Sequence, residues 1–337
     1  MLINYNRYCT YLYFYSGTSE PSPVLLASIA HYSYFSKRYI LVTNIEPSAF
    51  PKNISDSIEI LPINSIESAE TTEACAILQQ LWTSEQLKAN HPPVELHCFK
   101  RWFILRDLYD LGYLAHDELC LSHDWDDLVF LPTQLFTSFL DERITSAGLD
   151  ISAHILLCAH TAQPVGHYLG PHIMVLNTLA AQEFCSSVSN LVRLHIRQRA
   201  HQNFPDMSVW AYVYYNGLIA SPCSSYLWAD IVPANLFFDD NIRILNPSGL
   251  KISARSVHIP KKYSFLPHGQ THLSVKLYDI EGPCSFLRVH LENGNTAAGI
   301  NIHYSGVEGK YILLQDIKNR FASFYEQRPL LSSLLFT

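Results

Sequence analysis

Leu119-Cys120-Leu121-Ser122-His123-Asp124-Trp125-Asp126-Asp127-Leu128-Val129-Phe130 is the stretch from which the rest of the chain can be read. A short apolar segment runs into three carboxylates, and a second apolar segment, Leu128 to Leu131, follows without Gly or Pro between. Apolar runs this short fit buried strands better than helices. The acids therefore stand where a core strand reaches the surface. Like charges this close raise one another's pKa unless a cation neutralises them, and carboxylate oxygens are the ligands that hard divalent ions prefer. The plain alternative is a polar turn, since Asp is a common turn residue.

Upstream, the chain alternates. Tyr8 to Tyr15 reads as a strand, Val24 to Phe35 as a helix capped by Ser22, Arg38 to Thr43 and Ile58 to Leu61 as further strands. Strand–helix–strand alternation predicts an α/β fold with a mostly parallel sheet and right-handed crossovers. Ligands of such sheets bind beyond the carboxyl ends of the strands, so Ser16 and Gly17 after the first strand should share a crevice with Asp124 to Asp127. Two helices, Glu70 to Leu87 and Glu95 to Leu111, lead into the acidic strand. The second carries Lys100, Arg101 and Arg106, either a solvated basic face or a set that meets an anionic ligand.

Past Pro132 the reading is a short helix at Gln134 to Leu140, strands at Ser152 to Ala159 and Ile173 to Leu176, and a loop at Gly166 to Gly170 between them. Helices follow at Thr178 to Ala200 and Met207 to Leu218. Asp206 stands at the start of the latter, as a helix-capping carboxylate or as one that faces a substrate. Tyr226 to Val232, Asn235 to Leu245, Leu273 to Ile280, Ser285 to Leu291 and Gly299 to His303 have extended character, Lys251 to Gln270 reads as loop, and Tyr311 to Gln327 as a closing helix.

The 337 residues are 48% hydrophobic and 16% charged, enough for a large core. A net charge of -7 argues against a nucleic-acid binder. Eight scattered Cys without a C-x-x-C pair suit a reduced compartment rather than a disulfide scaffold or structural zinc. No signal peptide or membrane-spanning run is read, so a cytoplasmic protein is expected, with peripheral attachment through exposed aromatics left open.

Two stretches together carry a resemblance. Phe99-Lys100-Arg101-Trp102-Phe103-Ile104-Leu105 followed by Asp124-Trp125-Asp126-Asp127 is similar to the helix and D-x-D signature of GT-A-fold glycosyltransferases. Ile300-Asn301-Ile302-His303-Tyr304-Ser305-Gly306-Val307-Glu308-Gly309-Lys310 resembles the C-terminal H-x-x-G…K element of glycogenin-like family-8 enzymes. The order of elements agrees from roughly Tyr8 to Leu314. The resemblance implies one GT-A domain, with residues 1–131 as a nucleotide-sugar-binding half and residues 132–337 as an acceptor-binding half.

It further implies a metal site of Asp124, Asp126 and His303 for Mn²⁺ or Mg²⁺. The nucleotide-sugar donor, expected to be a UDP-sugar, would be met by Ser16, Gly17, Lys100, Arg101, Asp124, Asp127, Gly306 and Lys310. Asp206 would stand near the reacting carbon. The acceptor would be a glycan, a lipid-linked group or a small molecule, and retention of configuration is slightly favoured over inversion. Other readings of the same acids are a carbohydrate- or nucleotide-binding module without turnover, and a metal-dependent phosphohydrolase.

Overall fold

A computed structural model describes residues 8–36, 38–89, 91–129, 156–161, 168–197 and 203–220, together with the strand segments between 225 and 303 named below. In chain order the first elements are β1 (Tyr8–Phe14), α1 (Pro23–Phe35), β2 (Tyr39–Thr43), α2 (Lys52–Ser55), β3 (Glu59–Pro62), α3 (Ile63–Ile66), α4 (Ala69–Thr83), α5 (Pro92–Asp110), β4 (Leu119–His123) and β5 (Asp127–Val129). Then come β6 (Leu156–Thr161), β7 (Tyr168–Leu176), α6 (Thr178–Arg197), α7 (Asp206–Ala220) and β8 (Ser225–Leu227).

These strands build a seven-stranded sheet in the order β3-β2-β1-β4-β7-β6-β8. The strands β3, β2, β1 and β4 run parallel, and β7 lies antiparallel between β4 and β6. The chain is thus α/β, a mixed and mostly parallel sheet flanked by helices, as its alternation predicts. The parallel half is buried on both sides, which is why β1, β2 and β4 read as continuous apolar runs rather than alternating ones.

Side chains of β1 alternate between two helical layers. Cys9 and Tyr11 belong to the core with Phe99, Trp102, Phe103, Phe184 and Trp210, and the Tyr11 hydroxyl donates to the carbonyl of Arg101 at 2.8 Å. Thr10 points the other way, to the Ser36 hydroxyl after α1 at 2.5 Å. The α5 helix is fixed at both ends. Pro92 opens it, where its missing N–H costs nothing, and Gly112 closes it with φ of 77°. There the Tyr113 N–H reaches back to the Leu108 carbonyl at 2.9 Å and the Gly112 N–H to the Tyr109 carbonyl at 3.0 Å. Asp107 on its buried face accepts from Ser68 and Thr71, tying α5 to the start of α4.

The remaining strands are β9 (Leu236–Asp239), β10 (Ile242–Ile244), β11 (Ile252–Ala254), β12 (Val257–His258), β13 (Leu273–Glu281), β14 (Phe286–Leu291), β15 (Thr296–Gly299) and β16 (Asn301–His303). All but β16 form a second sheet in the order β10-β11-β13-β14-β15-β9-β12. The strand β16 instead pairs antiparallel with β5.

Two segments depart from the sequence reading. Ile252–Ala254 and Val257–His258 are strands inside the expected loop of Lys251 to Gln270; each is too short for its alternation to register. Gly170 lies inside β7 rather than in a loop. Pro171 falls where the register of β7 against β6 shifts, between Gly170 and Val175, which is where a strand tolerates proline. The expected helices Gln134 to Leu140 and Tyr311 to Gln327 lie outside the described residues.

Candidate active site

The D-x-D acids stand in a turn. The Asp127 N–H bonds the Asp124 carbonyl at 3.1 Å, closing four residues between β4 and β5. Because β1 and β4 are parallel, with Tyr11 level with Ser122, this turn leaves the sheet at the same edge as the end of β1. The rings of Phe14 and Trp125 meet edge-on at 5.4 Å across that edge. Just beyond, Ser16 is held by a reciprocal pair: its N–H donates to the Asn44 side chain at 2.7 Å, and its carbonyl accepts from Asn44 Nδ2 at 2.8 Å. A Cβ on Gly17 would meet nothing within 4 Å, so Gly17 borders open space. Ser16, Gly17 and the acids therefore stand at the same end of the sheet.

Underneath, the turn is fixed from the α1 face. His123 stacks on Tyr32 with ring centroids 3.6 Å apart and donates through Nδ1 to the Asp124 carbonyl at 2.9 Å. The Tyr32 hydroxyl donates to the Asp127 carbonyl at 2.5 Å. Burial pushes the His123 pKa down to about 3, so the ring is neutral. Its donation from Nδ1 fixes the tautomer.

From the α5 face the turn meets charge. Arg101 Nη1 bonds Asp124 Oδ1, and Arg101 Nη2 bonds Asp206 Oδ2 at 3.1 Å. Trp102 Nε1 donates to the same Asp206 oxygen at 2.8 Å. Asp206 is the first residue of α7 and is only 3% exposed, so it is no solvated cap. The chain entering α7 is pinned to the α4–α5 connection by the Phe204 N–H to the Lys88 carbonyl, 2.9 Å, and by Phe204 stacking on Phe99. The cation that such close carboxylates call for is in part supplied by the protein, with Arg101 as the counter-ion of Asp124.

Lys100 does not join this group. One position along the helix it faces the connection between α3 and α4, with Nζ on Glu67 Oε2 at 2.7 Å. Arg106 likewise serves Asp107 and its neighbours. Asp126 and Asp127 are buried, at 6% and 0% exposure. In backbone register His303 lies directly opposite Asp127, Ile302 opposite Leu128 and Asn301 opposite Val129. The two stretches that carry the resemblance, one in each half of the chain, therefore meet as a two-stranded ladder. Gly306 and Lys310 lie outside the described residues.

Two neighbours escaped the sequence reading. Glu95 and Cys98 lie with Asp206 so that one ligand atom of each falls within 4.8 Å of the others. Burial, then the charge of Asp206, pushes the Glu95 pKa up to about 7, and burial raises the Cys98 thiol well above its usual range. A protonated thiol and a half-protonated carboxyl are poor cation ligands at neutral pH. Among the described residues this trio is the group whose ligand atoms lie close enough together to hold a metal ion, and doing so would require the thiol and the carboxyl to give up their protons. Its signal in the sequence is the spacing Glu95, Cys98, Trp102, which is one helical stripe. The second missed feature is the Tyr15 ring, half exposed and stacked on His97 at 3.9 Å beside Ser16.

A divalent ion fits the turn on chemical grounds. Asp124 is partly open, at 31% side-chain exposure, the donors are carboxylate oxygens, and β16 sets His303 opposite Asp127 at the end of the turn. Among the described residues no helix is long and apolar enough to cross a membrane.

No protein-family model matches the chain, and no curated protein matches it. Solved structures similar to it include apo xyloside xylosyltransferase 1 of mouse, at 12% identity and TM-score 0.39, over 65% of this chain and 84% of that one. The glycosyltransferase GlyE of Streptococcus pneumoniae is 14% identical with TM-score 0.36, over 65% of this chain and 44% of that one. The PaToxG glycosyltransferase is 10% identical with TM-score 0.35, over 63% of this chain and 71% of that one.

Proposed function

We propose that the chain is a cation-dependent glycosyltransferase of the GT-A type, which takes a UDP-sugar as donor and an acceptor hydroxyl as second substrate. The observation that carries this reading is the β5–β16 ladder, which sets His303 across from Asp127 beside the D-x-D turn. Asp124, Asp126 and His303 would hold Mn²⁺ or Mg²⁺. When bound, the ion would neutralise charge on the departing nucleoside diphosphate.

The chain's own residues supply the rest. Ser16 and Gly17 border the strand-end crevice where the nucleotide would lie, and the Tyr15–His97 stack offers it an aromatic face. Asp127 fixes the turn through its backbone. Gly306 and Lys310 would meet the diphosphate, as the resemblance to the H-x-x-G…K element implies. Lys100, held by Glu67 beside His97, is at most an outer charge for it.

Asp206 is the carboxylate nearest the reacting carbon in this reading. Arg101 and Trp102 both donate to one of its oxygens, which suits a fixed negative charge better than a base that must take up a proton. Such a charge would stabilise an oxocarbenium-like sugar, and a carboxylate that does not act as the base leaves retention favoured over inversion. The test is turnover of UDP-sugars by the purified protein with Mn²⁺. Sugar transfer or slow donor hydrolysis, lost in Asp126→Asn, is the expected result. Phosphate release from plain nucleotides without any sugar requirement would overturn it in favour of a phosphohydrolase.

A further inference from the structure

Arg101 bonds both the D-x-D turn and the start of α7. Its two terminal nitrogens go to different carboxylates, Asp124 and Asp206, instead of forking onto one. The guanidinium is nearly buried and lies 4.4 Å from the ring centroid of Trp102, which itself bonds Asp206. The backbone above it is fixed as well, since the Arg101 carbonyl accepts from Tyr11 in β1. A planar fork held this way cannot swing to follow one partner without leaving the other.

Asp124 is therefore shared. Its carboxylate serves Arg101, and in the reading given above it also serves a divalent cation. The hold of Arg101 on Asp124 depends in turn on how much of its charge Asp206 takes. We propose that Arg101 is a positioning residue that couples the cation site to Asp206: the stronger its bond to Asp206, the more of the Asp124 carboxylate is available to the cation. The inference rests on the proposed cation site and adds a path by which events beside Asp206, such as arrival of a sugar or an acceptor, reach that site.

The sign follows from charge. In Asp206→Asn the guanidinium keeps its charge but loses its second anion, so it presses harder on Asp124 and competes with the cation. In Arg101→Lys the charge stays but the fork is gone, because an ammonium is a compact point charge that cannot span both carboxylates. The effect of Asp206→Asn should then vanish.

The experiment is a double-mutant cycle on apparent Mn²⁺ affinity, read from thermal shifts at saturating UDP, for the native chain, Asp206→Asn, Arg101→Lys and the double variant. Asp206→Asn is expected to weaken Mn²⁺ by about threefold or more in the native background, as befits residues in one network, and to leave it nearly unchanged in the Arg101→Lys background. An equal effect in both backgrounds would overturn the coupling while leaving the cation site intact. Absence of Mn²⁺ binding in every protein would overturn the coupling together with the proposed function. Should a variant be too unstable for ligand titration, a cycle of Asp124→Asn and Asp206→Asn on unfolding decides the same point. The two must be non-additive in the native background and additive in the Arg101→Lys background; additivity in both refutes the coupling.

Discussion

His123 and Asp124 are neighbours at the end of one strand, yet they face opposite worlds. On the α1 side, His123 is a buried neutral ring between Tyr32 and Tyr39, and its work is to hold the backbone of the turn. On the α5 side, Asp124 meets a buried guanidinium that answers to two carboxylates. The difference teaches how a strand end can carry charge without losing its shape. One face is stiffened with uncharged hydrogen bonds and stacking, so that the other can hold ions whose balance is allowed to change. His123 is the last residue of β4 and Asp124 the first of the turn, so the division falls where the strand ends.

The comparison is broken most directly by removing the charge from the α5 side. Arg101→Met leaves Asp124 and Asp206 without their common cation, and breaking a buried ion pair costs about 3–5 kcal/mol. Unfolding in denaturant should show a loss in that range; a loss below about 1 kcal/mol would mean that the carboxylates find other partners readily.

The two faces should also respond to pH in opposite directions, each by no more than about 1.4 kcal/mol per pH unit for one proton. Glu95, on the α5 side, has its folded pKa raised to about 7 from 4.5, so the folded chain holds the extra proton between those values. Its contribution is complete below about 4.5 and is lost as pH rises to about 7. His123 has its folded pKa lowered to about 3 from 6.5, so the unfolded chain holds the extra proton. Its contribution is complete above 6.5 and is lost as pH falls toward 3. Stability measured from pH 4.5 to 7 in Glu95→Gln, with a chelator present, should lack the falling component. An unchanged profile would place Glu95 in water rather than beside Asp206.

The smallest effect belongs to the α1 side. Tyr32→Phe keeps the stack on His123 and deletes only the hydroxyl that holds the Asp127 carbonyl. A loss of about 1 kcal/mol in unfolding free energy is expected, with cation affinity little changed. A large fall in Mn²⁺ binding instead would show that the neutral face tunes the ions directly.

Much of the parallel half was legible from the chain. The strands β1, β2 and β4 announce themselves as short apolar runs, and Ser22 marks the start of α1. The D-x-D acids could be placed at a strand end because apolar residues flank them on both sides. What the sequence could not show is which face of α5 meets them. Lys100 and Arg101 are adjacent cations with equal claims on paper. A rotation of one residue sends Lys100 to Glu67 and Arg101 into the site. Glu95 shows in the sequence only as part of a helical stripe with Cys98 and Trp102; its environment depends on α7 arriving against α5, a contact between segments far apart in sequence. The first part of β7, Tyr168 to Gly170, carries no alternation of its own, and its register against β6 shifts before Val175.

In the proposed function the D-x-D turn and the β16 strand opposite it would form a cation–diphosphate site. Its most direct test is a thermal-shift titration with UDP, with and without Mn²⁺, on the native chain and on Asp126→Asn. Ligand at a hundredfold excess over Kd should stabilise the native chain by about 2.7 kcal/mol. The account predicts a UDP shift that requires Mn²⁺ and disappears in Asp126→Asn. A shift indifferent to Mn²⁺ or to Asp126, or no shift at all, would contradict it.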